Sequence, residues 1–548
     1  MNAETPVRFS AETIQIVRMI GRAAEAGNRA RAFELANVAL DSGARHPMLF
    51  NVRAKRFWHE GLYYDALIDI QSALEFAPQD PLFLSAAGEC LMKLGLWKAA
   101  CSAFDSAIAK APHLVQAHYR RGLALQMSGE RQPAFAAHMR AVELEPDHAG
   151  ALGSLALISL SNQNPQKFEY YADRALAQDA SQPTAQIALS MAYANAGATG
   201  AAEERVREIL RIRRFGDDPR ASDVLRELGD KFDHAGNVAL AFTVYTEVNR
   251  RRREIHSRRF AKIRLSRHVA RLTNYFENAV PWTMSSIPAP EKDGPIGHAF
   301  VLGFARSGTT LLETVLASNA QVVALDEKDC FPGEATQLLE GAAGLESLST
   351  LGEDDLARMR RAYWEKVREH GRSVAGKLFV DKWPFNSRRL PLIARLFPAA
   401  RVLFMVRDPR DIVLSCFRRS FTVNTDTFEF LDLEDCACFY AAVMELAESS
   451  GRCLPLHLHR LRYEDMIAEF DATLRVVCDF IGIRWDERMR DFGGAADGTL
   501  DINAQSGIQV RKGLYAGASG QWRRYREQLA PILPILQPWI ERFEYSPS

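Results

Sequence analysis

Small residues recur at a spacing of 34 along the first part of this chain, and that period restricts the fold more than any other feature. Gly27, Gly61, Gly95, Gly129 and Gly197 fall on it, with Gln163 the one break. Ala32, Ala66, Ala100, Ala134 and Ala202 keep a second phase, interrupted at Phe168. A third series, Ala39, Ala73, Ala107, Ala141 and Ala175, is followed each time by an aliphatic residue: Leu40, Leu74, Ile108, Val142 and Leu176. Pro78, Pro112 and Pro146 close successive units. A unit of this length accommodates two helices and a turn. Small residues let the helices approach, and glycine supplies the left-handed turn between them. Hairpins of this kind bury their apolar faces only against neighbours, so residues 13–216 predict a stacked helical solenoid.

The period and pattern resemble tetratricopeptide repeats. Six repeats are followed by Gly236 and Ala241, which keep the five-residue offset of the earlier units and predict a degenerate seventh hairpin. The repeat domain is therefore expected over 13–250. Solenoids of this type offer a concave groove for an extended peptide or a helix. A scaffolding or dimerising role is equally open, and the sequence does not set the oligomeric state.

Lysine plus arginine and aspartate plus glutamate balance at 68 each in the 548 residues, which gives no global field for nucleic acid or a membrane surface. Residues 250–271 nevertheless hold ten basic residues, beginning with Arg250-Arg251-Arg252-Arg253, against the single acid Glu254. Such a run is read as a solvated face or as pairing with acidic neighbours, and no nucleic-acid partner is expected. With the Pro- and Gly-rich stretch 281–297, residues 251–295 form a basic helical segment and linker. No apolar run is long enough to span a bilayer, and the N-terminus lacks the pattern of a secretory leader. The eight cysteines contain no C-x-x-C pair; Cys436 and Cys438 are the closest spacing. Reduced thiols in a cytoplasmic protein, with no metal, are the expectation.

From 296 to 548 the pattern changes to apolar strand-like runs alternating with helical stretches, as in a parallel α/β sheet. Strands are predicted at 299–303, 376–380, 401–406 and 454–461. The first leads into Gly303-Phe304-Ala305-Arg306-Ser307-Gly308-Thr309-Thr310 and then an apolar helix. Strand, Gly-rich turn and helix start aim backbone N–H groups and a helix dipole at one point, and the hydroxyls add short donors: a phosphate site. It is not an ordinary nucleotide triphosphatase loop, because Thr309 stands where that loop needs lysine and the cation sits earlier, at Arg306. A kinase reading, with ATP and magnesium, is disfavoured on that ground. Two further strands deliver polar residues at their C-terminal ends, where ligands of such sheets bind. One places Lys382 just past its end. The other runs into Arg407-Asp408-Pro409, with Ser415 on the following helix, so that Arg407 and Ser415 can reach one anion.

The segment Ala305-Arg306-Ser307-Gly308-Thr309-Thr310 resembles the 5′-phosphosulfate loop of sulfotransferases that use PAPS (3′-phosphoadenosine 5′-phosphosulfate), with Ala305 in place of the usual proline. Arg407 and Ser415 keep the eight-residue spacing of the family's 3′-phosphate segment. Val510-Arg511-Lys512-Gly513 and Gly520-Gln521-Trp522 resemble its C-terminal cofactor loop, which implies that Arg511 and Lys512 cover the 3′-phosphate, with Ser519 a further candidate. Tyr463-Glu464-Asp465 looks like a family element and is read as structural. The likeness covers roughly 296–535, and with the repeats it fits bacterial tetratricopeptide-repeat sulfotransferases.

The resemblance implies a multi-domain protein, an all-α repeat solenoid followed by a P-loop-like α/β sulfotransferase domain with a central parallel sheet. It implies PAPS as donor and PAP (adenosine 3′,5′-bisphosphate) as product. Arg306, Ser307, Gly308, Thr309 and Thr310 would hold the 5′ end, and Lys382 would neutralise the leaving oxygen. Trp383 and Pro384 follow Lys382, where cytosolic family members carry a catalytic histidine. The base instead falls on Glu327, by likeness to the G-E-E-T-R stretch of protein-tyrosine sulfotransferases, with Asp326 as the nearby alternative. Asp329 replaces the arginine of that stretch, which implies a different acceptor. The acceptor is a hydroxyl on a peptide tyrosine, a glycan or a lipid, and the repeats would recruit it or a partner. The rival reading is a non-catalytic repeat scaffold with a nucleotide-sensing domain.

Overall fold

The computed structural model describes residues 9–161, 165–212, 219–283, 286–287, 294–492 and 519–546. The chain divides into two compact units, Met1–Val248 and Asn249–Ser548.

The first unit is an all-helical solenoid of the tetratricopeptide kind. Its hairpins are α1 and α2 (Ala11–Glu25, Arg29–Asp41), α3 and α4 (Pro47–His59, Tyr63–Phe76), and α5 and α6 (Pro81–Lys93, Trp97–Lys110). There follow α7 and α8 (Val115–Met127, Arg131–Leu144), α9 and α10 (Ala149–Ser161, Pro165–Gln178), and α11 and α12 (Pro183–Asn195, Thr199–Ile212). The degenerate seventh pair is α13 (Pro219–His234) and α14 (Val238–Phe260). Each glycine of the periodic series has a left-handed backbone, with φ between 72° and 90° from Gly27 to Gly236, which a side chain would oppose. The phased alanines Ala66, Ala100, Ala134 and Ala202 are all buried, and Phe168, the exception in sequence, is buried in the same register. A further phased set of small residues, Ala54, Gly88, Gly122 and Ala156, keeps the same spacing of 34 on the first helices of the hairpins. A methyl on Gly122 would lie 2.5 Å from the His138 ring, and one on Gly88 2.7 Å from Phe104, so these glycines set how closely paired helices meet.

From Asn249 the second half of α14 belongs to the second unit. The basic run is part paired and part solvated: Arg253 and Arg264 both reach Asp435 and Arg252 donates to the carbonyl of Phe421, while Arg258 and Arg259 are exposed. Helix α15 (Leu265–Asn278) lies along a later helix of the same unit.

The centre of this unit is a five-stranded, wholly parallel sheet. Its strands are β1 (Gly297–Gly303), β2 (Val322–Asp326), β3 (Leu378–Lys382), β4 (Arg401–Val406) and β5 (His457–Arg462), in the order β2-β3-β1-β4-β5. Strand β1 is central and buried along nearly its whole length, as expected of a parallel strand covered on both faces. Removing Phe300, Val301 and Leu302 from water is worth about 1.5–3 kcal/mol each. Two sequence expectations need correcting. Strand β3 runs 378–382 instead of 376–380, so Lys382 is its last residue and not a loop residue beyond it. Strand β2 was absent from the predicted set, and it pairs with β3 so that Asp326 lies opposite Lys382. The helices that follow are α16 (Thr309–Ala317) after β1, α17 (Gly333–Gln337), α18 (Ala342–Thr350), α19 (Glu353–Glu369) and α20 (Leu390–Leu396). Helix α21 (Pro409–Arg418) follows β4, and α22 (Leu433–Cys453) leads to β5 and carries Asp435, which pairs with Arg253 of α14 and with Arg264, the N-cap of α15.

Candidate active site

The C-terminal ends of β1, β3 and β4 are adjacent in the sheet, and the candidate residues gather there. At Gly303 the backbone takes φ 148°, and a methyl at that position would lie 2.6 Å from the Met405 carbonyl oxygen of β4. Ser387 clamps the turn by donating to the Gly303 carbonyl at 2.6 Å and accepting from its N–H at 3.0 Å. Gly308, at φ 102°, is the N-cap of α16, and a methyl there would meet the Tyr463 ring at 2.5 Å. Arg306 (φ 70°) and Glu327 (φ 47°) are non-glycine residues with left-handed backbone. Each such residue costs on the order of 1–2 kcal/mol, so the surrounding structure holds both against a local preference.

Two predicted anion clusters meet at this turn. Arg306 Nε donates to Ser415 Oγ at 3.1 Å, and Arg407 donates to the Arg306 carbonyl at 3.0 Å. The Arg407 guanidinium also lies over the Tyr463 ring, 4.8 Å from its centroid. The segment read as structural thus forms a wall of the site. Burial pulls Arg306 down to about 10, helped by the nearby charges of Arg419 and Arg407, so it remains a cation at neutral pH. Asp408 caps α21 and holds Arg410, whose guanidinium sits 3.5 Å above the Trp522 ring. Asp411 accepts from the N–H groups of Gly520 (2.6 Å) and Trp522 (2.9 Å). The G-x-W segment is thereby tied to the helix that carries Ser415. Arg511 and Lys512 lie outside the described residues, and Ser519 is exposed.

The third cluster surrounds Lys382, which is fully buried. Its Nζ lies 3.0 Å from Glu327 Oε1 and 3.3 Å from Glu313 Oε2, pairs with Asp326, and is 3.4 Å from Thr310 Oγ1. Burial alone would lower the lysine pKa, but the three carboxylates override it and raise it. Glu327, the predicted base, is half-exposed, whereas Asp326 is mostly covered. The Glu327 N–H donates to the Lys382 carbonyl at 2.8 Å, which ties the strained residue to β3.

Glu313 was not among the predicted site residues. Its one sequence signal is a lone acid in the apolar stretch Leu311-Leu312-Glu313-Thr314-Val315, on a helix starting from a phosphate loop. Asp329 follows on the loop after β2. Its carboxylate is held by Arg389 through two hydrogen bonds of 2.7 and 2.8 Å, and Arg389 in turn stacks 4.8 Å from the Trp383 ring. This pairing braces the loop that carries Asp329. Asp381, next to Lys382, faces away into a buried network. Tyr363 donates to it at 2.5 Å, and burial pushes its carboxyl up to about 7.

The loop itself offers a test of fit for a donor with a terminal anion. Ser307 is fully buried, yet its hydroxyl makes no hydrogen bond among the described residues. The N–H groups of the first turn of α16 have no acceptor within the helix. A phosphate-type anion would satisfy all of them, with Arg306 at the rim. The residues fit. Among the described residues no cluster of His, Cys, Asp and Glu is arranged to hold a metal ion, and no helix is long and apolar enough to cross a membrane.

Comparison with known proteins bears on the family of the second unit. Residues 298–487 match the model of the Sulfotransferase family, so the second unit carries a domain of that family. The chain is homologous to protein-tyrosine sulfotransferases. It is 26% identical over 272 residues to protein-tyrosine sulfotransferase 1 of Danio rerio, a match covering 47% of this chain and 74% of that protein. An uncharacterized protein of Aquifex aeolicus is 28% identical over 258 residues, 45% of this chain but only 33% of that protein's length. Among solved structures, MamA (19% identity, TM-score 0.28) is covered over 94% of its chain and 29% of this one. YrrB, described as a TPR protein with an unusual peptide-binding site, is 18% identical, with a TM-score of 0.29, and is covered over 89% of its chain and 32% of this one.

Proposed function

We propose that this protein is a PAPS-dependent sulfotransferase acting on a hydroxyl acceptor, with the repeat unit recruiting the acceptor or a partner. The observation that carries the reading is the juxtaposition, at the carboxyl ends of β1, β3 and β4, of a buried phosphate loop, the Arg306–Ser415–Arg407 cluster and a fully buried lysine beside Glu327.

PAPS supplies an activated sulfuryl group and a phosphate leaving group. The chain's residues then have distinct tasks. Arg306, Ser307 and the N–H groups of Gly308, Thr309 and Thr310 hold the 5′ end. Arg407 and Ser415, joined by Arg511 and Lys512 in our assignment, hold the 3′-phosphate. Lys382 places a permanent positive charge beside Thr310, where charge grows on the leaving oxygen, and such preorganised charge is the largest single contribution to many catalysed transfers. Glu327 is the base. It lies next to Lys382 and is exposed enough to meet an acceptor hydroxyl and take its proton. No metal has a task in this scheme.

The test is transfer of radiolabelled sulfate from PAPS to panels of tyrosine peptides, glycans and lipids. Wild type is expected to label one class, and Glu327→Gln to lose roughly 10²–10⁴-fold in rate while still binding PAP. Labelling that is unchanged in Glu327→Gln would remove the residue from the role of base. A protein that binds PAP but labels none of the three classes would favour the scaffold reading.

A further inference from the structure

Three carboxylates around one lysine make an electrostatic problem for a site built to receive an anion. If Glu313, Asp326 and Glu327 were all ionised, Lys382 would be overcompensated directly beside Thr310 and the phosphate loop. Glu313 is placed differently from the other two. It sits on α16, one turn in from the loop, with its side chain only 1% exposed. It touches Lys382 Nζ at 3.3 Å, yet neither of its oxygens makes a hydrogen bond of normal geometry among the described residues. An ionised carboxylate this deeply buried, with the ammonium as its one close partner and no further hydrogen bonds, costs more than its neutral form, although the lysine opposes protonation.

We propose that Glu313 is a positioning residue for Lys382: uncharged, it packs against the ammonium, leaves Asp326 and Glu327 to orient it, and keeps the loop receptive to the donor's anion. The inference rests on the reading of this loop as the donor-phosphate site. The charged groups facing Glu313 are Lys382 from β3, Asp326 from the end of β2 and Glu327 from the turn after it. Strand β1 presents no charged side chain to α16: Ala299 and Val301 face it, and His298 packs on the other face of the sheet against Tyr363, Trp364 and Phe397. Burial raises the Glu313 carboxyl, with Asp326 and Glu327 adding to the rise and Lys382 opposing it, to about 8. The uncharged form therefore predominates at neutral pH and gives way above it.

The consequence is an alkaline limit on anion binding. If binding requires neutral Glu313, the competent fraction at about pH 9 is about a tenth, and the Kd for PAP rises about tenfold between about pH 7 and about pH 9. PAP itself does not titrate in that window, and Lys382 stays charged. Calorimetric titration of the full chain with PAP across this range is the experiment. Wild type is expected to weaken about tenfold. In Glu313→Gln the ratio of the two Kd values is expected to stay near one, whatever its affinity at neutral pH. Glu313→Leu, which also cannot ionise, carries the same expectation should the amide not fold. A pH-independent Kd in wild type, with binding still lost in Arg407→Ala, would overturn the role of Glu313 and leave the donor site standing. An equal alkaline loss in Glu313→Gln would do the same. Absence of PAP binding at every pH would overturn the donor site, and this inference with it.

Discussion

Lys382→Ala is expected to produce the largest loss of any single substitution in the second unit, and the loss should depend on pH. The variant leaves Glu313, Asp326 and Glu327 facing one another without the cation that joins them, two of the three largely covered by protein. Breaking a buried ion pair by removing one partner costs about 3–5 kcal/mol. The remaining carboxyls respond by binding protons, so their folded-state pKa values lie above their unfolded ones. A carboxyl raised in this way leaves stability intact at acid pH and removes it as pH climbs through the folded pKa. Urea unfolding should therefore show a modest deficit at about pH 5 and a severe one at about pH 8. A deficit that is equal at both pH values would mean that the carboxylates are not coupled to the lysine. For catalysis, loss of a preorganised charge at the leaving oxygen is expected to cost about a hundredfold or more in rate.

Gly303→Ala is the second. The new methyl would meet the Met405 carbonyl oxygen at 2.6 Å, and that oxygen belongs to the neighbouring strand, not to a side chain that can swing away. The backbone at φ 148° adds its own penalty. Overpacking of this kind costs roughly 1–3 kcal/mol, and here it should also pull the turn off Ser387 and abolish PAP binding. Gly333→Ala, where nothing lies within 4 Å of the added carbon, is the control and should bind PAP as wild type does. Calorimetry of both variants checks the pair; normal PAP affinity in Gly303→Ala would show that the strand–turn geometry does not define the anion site.

Much of this was legible in the sequence because it is local. The repeat glycines announce their own backbone angles, and the run Ala299-Phe300-Val301-Leu302 before Gly303 fixes strand, turn and helix within a dozen residues. Strand β2 was missed because Val322-Val323-Ala324-Leu325 is short and runs straight into the acids Asp326 and Glu327, so it reads as the approach to a loop. The predicted strand ends two residues short of Lys382 because no periodicity marks the end of a buried strand. The remaining gaps are long-range. Arg306 and Ser415 meet across more than a hundred positions, and Arg389 neutralises Asp329 from another segment. The role of Glu313 depends on how deeply α16 is buried and on which residue faces it across the sheet, and neither is written in its neighbours.

The most direct measurement is the thermal unfolding of the full chain with PAP, compared with ADP and with ATP plus magnesium, in wild type and Arg407→Ala. A ligand that binds only the folded state stabilises it by mass action, by about 2.7 kcal/mol at about a hundredfold excess over its Kd. The expected result is a rise in Tm that is selective for PAP and lost in Arg407→Ala. No rise with PAP, or a larger one with magnesium and ATP, would contradict the assignment of this site to a sulfotransferase donor.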